Sequence, residues 1–337
     1  AYLTGYACGA GYYKKYGPEY EENILRYYRY VRDNDLFLTH ALGTPQTDRS
    51  KQSSQQRDQF LHLGVKEETS EGVIVRGAKQ LATMGGLTDE IMVFPNGRQF
   101  GPGDERYCLG FAIPSSTPGV KFLCREPLVP DDSRNLYDHP LSARYEEIDC
   151  MVYFDDVLVP WDRLFFYNNL EIANTARDNT AASPDAYHQA AVRAMVKARL
   201  AAAIIYKITD SVKTNVYPQV AEKVGHVIAM AKATEAMVIA AEETGGLKNG
   251  IWMPNKDYLV SVMILYAKFY DQMLELIKSV STAGLMLTPT LADFKGPEGE
   301  LFNHYFAGAE MDGFSRVQIA KLAWDFAGDS FGQRLAL

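Results

Sequence analysis

The hydrophobic period of this chain changes twice, and that change limits the available folds more than any other feature. Between about residues 58 and 160, short β-prone runs at 60–65, 72–75, 91–94, 107–113, 120–124 and 150–159 are split by clusters such as Gly101-Pro102-Gly103-Asp104. Strands at close intervals with turn punctuation predict a small barrel or sandwich. On either side the period is helical. Residues 1–38 read as two helices around Tyr16-Gly17-Pro18, the second carrying Ile24, Leu25, Tyr28 and Val31 on one face. Beyond residue 167, Ser183-Pro184-Asp185 opens a long helix to about Asn215, with Ser as cap, Pro at the first helical position and Asp at the positive end of the dipole. Pro218 opens a second helix that Gly245-Gly246 ends, Pro254 a third that fades near Gly284, and a fourth spans residues 313–328. Four long helices with alanine-rich faces predict an antiparallel bundle. The stripe Met263, Tyr266, Phe269 and Tyr270 is then left over for subunit contacts.

The first junction between these textures is the place to look for a ligand. Helical spacing runs into Phe37-Leu38-Thr39-His40-Ala41-Leu42, Gly43 and Pro45 break it, and short hydrogen-bonding side chains follow: Thr44, Gln46, Thr47, Asp48, Arg49, Gln52, Ser53, Ser54 and Gln55. Pro lacks an amide donor and pushes the residue before it out of the helical region. Binding residues concentrate in loops held by a rigid scaffold, although the same run also suits a solvated connector with one incidental histidine.

Composition narrows the class. The 337 residues, 47% of them hydrophobic, support two or three cores. A net charge of −8 argues against general polyanion binding, because phosphate affinity comes from clustered Lys and Arg. Cys8, Cys108, Cys124 and Cys150 form neither a CxxC pair nor a zinc-spaced Cys/His cluster, which points to a reducing cytoplasm and no metal. No apolar run of membrane-span length and no leader pattern stand out. Both ends read as cut, with no Met at the start and no helix stop at Leu335-Ala336-Leu337.

Helices, a small β domain and a helical bundle follow one another in the order of the acyl-CoA dehydrogenase architecture, a mostly α, α+β fold. The expected divisions are 1–43, the end of an N-terminal helical domain; 44–166, a central β-barrel; and 167–337, the bundle. Five ordered motifs go further: Arg76-Gly77-Ala78-Lys79-Gln80-Leu81-Ala82-Thr83, Phe111-Ala112-Ile113-Pro114, Asp138-His139-Pro140-Leu141-Ser142-Ala143-Arg144, residues 154–161 (Phe154-Asp155-Asp156-Val157-Leu158-Val159-Pro160-Trp161), and Thr39-His40-Ala41-Leu42 with Pro45-Gln46 to Arg49. Together they resemble the oxygenase component of the two-component 4-hydroxyphenylacetate 3-monooxygenases, over essentially the whole chain.

That resemblance implies a cytoplasmic enzyme that takes reduced FAD from a separate NAD(P)H-flavin reductase, uses O2, and hydroxylates a phenol ortho to its hydroxyl. It also implies a homotetramer, a dimer of dimers, with no nucleic-acid or membrane partner. Tyr2 and His40 fall where the family's substrate-contacting Tyr and His belong; the Arg that accompanies them would precede Ala1. Gln46, Thr47, Asp48, Arg49, Gln52, Ser53, Ser54, Gln55 and Thr83 match flavin-contacting positions. Asn96 and Gly97 lie in the loop that covers substrate, and a further flavin-binding segment falls past Leu337.

A phenolate is more electron-rich at its ortho carbon than a phenol, so such a site favours proton removal. His40, with an ordinary pKa near 6.5, can accept the proton or donate a hydrogen bond to the phenolate oxygen, and Tyr2 can share that oxygen. Dryness is required as well, hence a closing loop and an apolar wall. Arg49 suits flavin carbonyl or phosphate oxygens through its planar fork; its bland alternative is a salt bridge to Asp48 or Glu68. His139, His188 and His226 read as structural, and Asp155-Asp156 as a strand-end turn. Three rivals remain: a 4-hydroxybutyryl-CoA dehydratase-type FAD lyase, an acyl-CoA dehydrogenase-like oxidoreductase, and a scaffold that has lost its flavin. The lyase needs an iron-sulfur cluster held by three Cys and a His, and here Met195 stands where one Cys belongs.

Overall fold

The computed structural model describes residues 1–95 and 99–335. Helices α1 (Tyr2–Cys8) and α2 (Pro18–Asp33) precede strands β1 (Leu38–Ala41), β2 (Gly64–Glu68), β3 (Gly72–Thr83), β4 (Glu90–Val93), β5 (Leu109–Pro114) and β6 (Val120–Cys124). The short helix α3 (Ser142–Tyr145), then β7 (Asp149–Pro160) and β8 (Leu164–Tyr167), lead into α4 (Leu170–Asn179), α5 (Ala182–Ser211) and α6 (Pro218–Glu243). A small hairpin, β9 (Gly246–Lys248) and β10 (Ile251–Met253), is followed by α7 (Lys256–Ser281), α8 (Leu291–Lys295), α9 (Gly299–Tyr305), α10 (Gly313–Ala327) and α11 (Ser330–Leu335).

Two compact units result. The first comprises Ala1–Glu126, Glu147–Ala186 and Leu247–Ile251; the second comprises Pro127–Glu146, Tyr187–Gly246 and Trp252–Leu337. The division expected near residue 43 lies inside the first unit. The reason is packing: Tyr6, Tyr13, Ile24 and Tyr27 from the opening helices share one buried core with Met92, Phe94, Phe165 and Phe166. Each such side chain contributes roughly 1.5–3 kcal/mol by leaving water, so the helices and sheets hold together as one body.

The β region is two four-stranded sheets, ordered β1-β4-β5-β8 and β2-β3-β7-β6. Five of the six expected strands fall on the predicted runs, and β3 extends well past its run to Thr83. Besides the β9–β10 hairpin, two strands of these sheets escaped the sequence reading. β8 follows β7 after one short turn, and β1 occupies residues that read as the tail of a helix. Gly43 and Pro45 therefore do not stop that helix. It ends ten residues earlier, where the Asn34 side-chain amide donates to the Tyr30 carbonyl (2.8 Å) and Asp35 turns left-handed at φ 50°. Chain released there pairs parallel to β4, with His40 opposite Met92.

In the second unit α5, α6, α7 and α10 supply one core: Ala198, Ala201, Ile204 and Ile205; Val227, Met230 and Ala231; Tyr270, Met273 and Ile277; Ala323, Phe326 and Ala327. Tyr270 is buried in this core and Met263, Tyr266 and Phe269 pack against buried clusters, so that stripe faces inward rather than toward a subunit contact. Ser183 does not cap α5. It lies within the helix, and its hydroxyl donates back to the Arg177 carbonyl (3.2 Å), while the helix stops at Ser211. Helix α6 is long and apolar enough to cross a membrane by length and composition, contrary to the sequence expectation; Val227, Met230, Thr234 and Val238 are buried within the fold.

Candidate functional site

Strand alternation places the first key side chain. Along β1, Thr39 and Ala41 are buried and His40 points to the opposite, accessible side. Solvent reaches the imidazole, yet protein atoms crowd it enough that desolvation lowers its pKa from the ordinary histidine value, favouring the neutral, proton-accepting form. Across from it, in the first turn of α1, stands Tyr2: the two rings are 5.8 Å apart, tilted at 49°. The Tyr2 hydroxyl lies 3.0 Å from that of Tyr6, and Tyr6 stacks on Phe94 at 4.2 Å with rings 6° from parallel. Burial, and then Tyr2 and Tyr13 nearby, hold the Tyr6 phenol far above its ordinary pKa, so Tyr6 stays protonated and able to donate.

The polar segment after β1 is anchored by a residue that sequence reasoning passed over, His62. This imidazole is buried, with Nε2 3.2 Å from Thr47 Oγ1 and Nδ1 2.9 Å from Ser53 Oγ. Thr47 already donates its hydroxyl proton to Gln56 Oε1 (2.8 Å), so it accepts from Nε2–H. The ring thereby grips both ends of the segment. Ser54 is held in turn by its backbone N–H to Asp104 Oδ1 (2.8 Å), and Gln55 by accepting from the Gln52 amide (3.1 Å). Asp48 caps a local turn through Ser50 and pairs with Lys51 at 3.2 Å.

Two groups in the segment are left over. Arg49 has neither of the salt bridges weighed for it: Asp48 is paired with Lys51, and Glu68 accepts from the Tyr167 hydroxyl (2.7 Å). Among the described residues, buried Gln52 Oε1 has no hydrogen-bond partner beyond the capping box that joins Gln52 and Gln55. Gln46 is exposed. Among the described residues, an acceptor with spare capacity and a guanidinium fork without an ion pair thus stand in one short loop, an arrangement chemically able to meet a ligand that offers both donors and acceptors.

Thr83 ends β3. Its carbonyl accepts from the Thr39 hydroxyl (2.7 Å), tying it to the strand that carries His40, and its own hydroxyl donates to Asp149 Oδ1 (2.9 Å). The spent proton leaves Thr83 Oγ1 as an acceptor only. Four residues earlier, Lys79 is buried, with Nζ donating to the carbonyls of Leu42 (3.0 Å) and Phe94 (3.4 Å). Desolvation lowers its pKa to about 8. The structure thus brings together Tyr2 and His40, joins Thr83 to that strand, and holds the polar loop beside β3 through Gly43 opposite Gln80. It shows no contact between Arg49 and Tyr2 or His40. Asn96 and Gly97, expected to cover substrate, lie outside the described residues.

Neither His62 nor Lys79 carried a sequence signal of its own. Lys79 lies past the β-prone run expected at 72–75, and only the three-dimensional pairing reveals it as buried. Two cavities, of about 560 and 390 Å³, belong to the second unit and do not include these residues. Asp155 and Asp156, expected at a strand-end turn, instead lie inside β7 where its register with β3 shifts, and they form ion pairs with Lys121, Arg76 and Lys66.

Residues 1–166 match the family described as 4-hydroxyphenylacetate 3-hydroxylase N terminal, and residues 173–337 its C-terminal counterpart. The oxygenase component of 4-hydroxyphenylacetate 3-monooxygenase from Thermus thermophilus is 38% identical over 338 residues, an alignment covering 100% of this chain and 69% of that protein. The Geobacillus sp. oxygenase component is 36% identical over 320 residues, covering 94% and 64%. A crystal structure of the oxygenase component (HpaB) complexed with FAD and 4-hydroxyphenylacetate superposes with a TM-score of 0.93 at 38% identity, covering 99% of this chain and 69% of that one. The chain therefore spans about two thirds of the length of these relatives.

Proposed function

Because this chain belongs to the 4-hydroxyphenylacetate 3-hydroxylase family, we propose that it acts in the oxygenase component of a flavin-dependent monooxygenase that hydroxylates a phenol ortho to its hydroxyl, with 4-hydroxyphenylacetate first among candidate substrates. The observation that carries this reading is the Tyr2–His40 pair, two phenol-oxygen binders facing one another. FAD, delivered reduced by a separate reductase, supplies with O2 the oxygen atom that enters the ring.

The polar loop suits that cofactor. A flavin presents ring carbonyls and a ring N–H on one edge, and here the Arg49 fork offers donors while the buried Gln52 Oε1 keeps acceptor capacity among the described residues. Gln46, Ser54, Gln55 and the Thr83 hydroxyl oxygen complete the proposed contacts, whereas Thr47, Ser53 and Asp48 act mainly by fixing the loop. For the substrate, neutral His40 accepts the phenol proton and the Tyr2 hydroxyl, backed by Tyr6, donates to the oxygen left behind. Phe94 and Tyr6 present a stacked aromatic wall that keeps water from one side of this pair.

The acyl-CoA dehydrogenase-like arrangement, with a central barrel and a four-helix bundle, is the architecture we infer for the whole protein, together with a cytoplasmic homotetramer. Exposed Ile228, Ile239, Ile264 and Leu265 on α6 and α7 support subunit contacts. The dehydratase reading fares poorly: His188 is bonded to Glu242 (2.8 Å), Met195 is no cluster ligand, and the cysteines are dispersed apart from Cys124 and Cys150. Oxygen uptake and product analysis with reduced FAD, run against 4-hydroxyphenylacetate, phenol, 4-nitrophenol and tyrosine, test the proposal. A catechol from at least one is expected; oxidation of the flavin without any hydroxylated product from the whole panel sinks it.

A further inference from the structure

We propose that His139, Asp325 and Asp329 form a site for one divalent metal ion of the zinc class, built into the second unit. One ligand atom from each of the three lies within 4.8 Å of the other two. Asp325, near the end of α10, is fully buried; its Oδ2 accepts from the backbone N–H groups of Leu141 (2.7 Å) and Ser142 (2.8 Å), while Oδ1 has no partner among the described residues. Among the same residues His139 Nδ1 is likewise buried and unpartnered, and so is Ser142 Oγ in the same turn. Asp329, between α10 and α11, uses only Oδ1, which accepts from the Ser330 N–H (2.6 Å) and hydroxyl (3.2 Å).

Orphaned buried polar atoms call for a guest, and charge decides which. A bridging water satisfies hydrogen bonds but leaves two carboxylates uncompensated, one of them with no access to solvent. Among the described residues no Lys or Arg pairs with either; the nearby Lys321 is engaged by Asp138 at 3.3 Å. The two backbone donors on Oδ2 leave the buried Asp325 carboxylate without a counter-charge, which is unfavourable, and a divalent cation supplies one. Imidazole nitrogen with two carboxylate oxygens suits zinc better than magnesium or calcium, which take oxygen donors. Ligands of a tetrahedral zinc stand roughly 3.5 Å apart, so the three close in by about an ångström as the ion enters. His139 also lines the cavity of about 560 Å³ beside Asp138 and Trp324, which gives the ion a route in. No spacing in the sequence announces the site, because His139 and the two aspartates are far apart in the chain.

The inference does not depend on the hydroxylase reading, and its test needs no turnover. The full-length protein, stripped with a chelator and dialysed, is loaded with zinc sulfate or with cobalt(II) as a visible-absorbing probe, then separated by gel filtration for metal analysis. One equivalent per chain, a higher melting temperature on reloading, and at least tenfold weaker binding in His139→Gln and in Asp329→Asn are expected. Asp325→Asn is a third variant, at risk of misfolding because Oδ2 also anchors the backbone. Failure of the wild-type protein to retain either metal stoichiometrically while its circular dichroism stays native overturns the proposal and leaves water as the guest.

Discussion

Tyr2 and His40 face one another with ring centroids 5.8 Å apart, one from the first turn of a helix and the other from the accessible side of a strand. Replacing His40 by Ala should leave flavin oxidation intact while hydroxylated product per O2 consumed falls by roughly 10²-fold or more, the usual weight of a positioned acid–base group. Tyr2→Phe should cost less and raise KM. Because desolvation lowers the His40 pKa, the imidazole stays in its proton-accepting form below the ordinary histidine value. Coupling should therefore hold as pH drops to about 6.5 and decline only below that. Unchanged product yield in the Ala variant would remove His40 from the reaction.

Lys79 gives stability a recognisable pH signature. Its folded pKa of about 8 lies below the ordinary 10.5. Below pH 8 both folded and unfolded chains carry the proton, and the cost of burying the ammonium is fully in force. Between 8 and 10.5 the unfolded chain holds more protons than the folded one, so stability climbs with pH. At 1.36 kcal/mol per pKa unit the whole climb is about 3 kcal/mol. Urea unfolding at pH 7.5, 8.5 and 9.5 should record about 2 kcal/mol of it in the wild type, and Lys79→Met should abolish it. A wild-type profile flat over that range contradicts the assignment.

His62 and Arg49 should separate folding from flavin binding. His62→Ala leaves the Thr47 and Ser53 hydroxyls without their buried partner and should destabilise the first unit by about 1–3 kcal/mol, with reduced-flavin affinity lost as the loop loosens. Arg49→Ala removes an exposed side chain that has no ion pair among the described residues, so the melting temperature should barely move while flavin affinity falls about tenfold. Thermal melts and reduced-FAD titration of both variants check the contrast. Equal flavin affinity in Arg49→Ala and wild type would take Arg49 out of the site.

Legibility in the sequence followed how local the cause was. Pro218 at the start of α6, Gly245 past its end, and the apolar runs of β4 to β7 act on their own neighbours, and they were read correctly. β1 was missed because Leu38-Thr39-His40-Ala41 owes its extended form to β4, about fifty residues on; nothing within the four residues specifies it. The pair Tyr2 and His40 was recoverable only through resemblance to a family. His62 and Lys79 were invisible for the same reason as β1: their importance lies in which distant backbone and hydroxyl groups surround them.

The parallel alignment of Leu38–Ala41 with Glu90–Val93 acts as a parity lock on the imidazole. Side chains on a strand alternate, so sliding β1 by a single position would swing His40 inward among the apolar residues and bring Thr39 or Ala41 out in its place. Inserting or deleting one amino acid in the turn between Asn34 and Phe37 is therefore harmless only if the loop absorbs it; evolution and protein engineers alike can lengthen that turn, but they cannot let the strand slip.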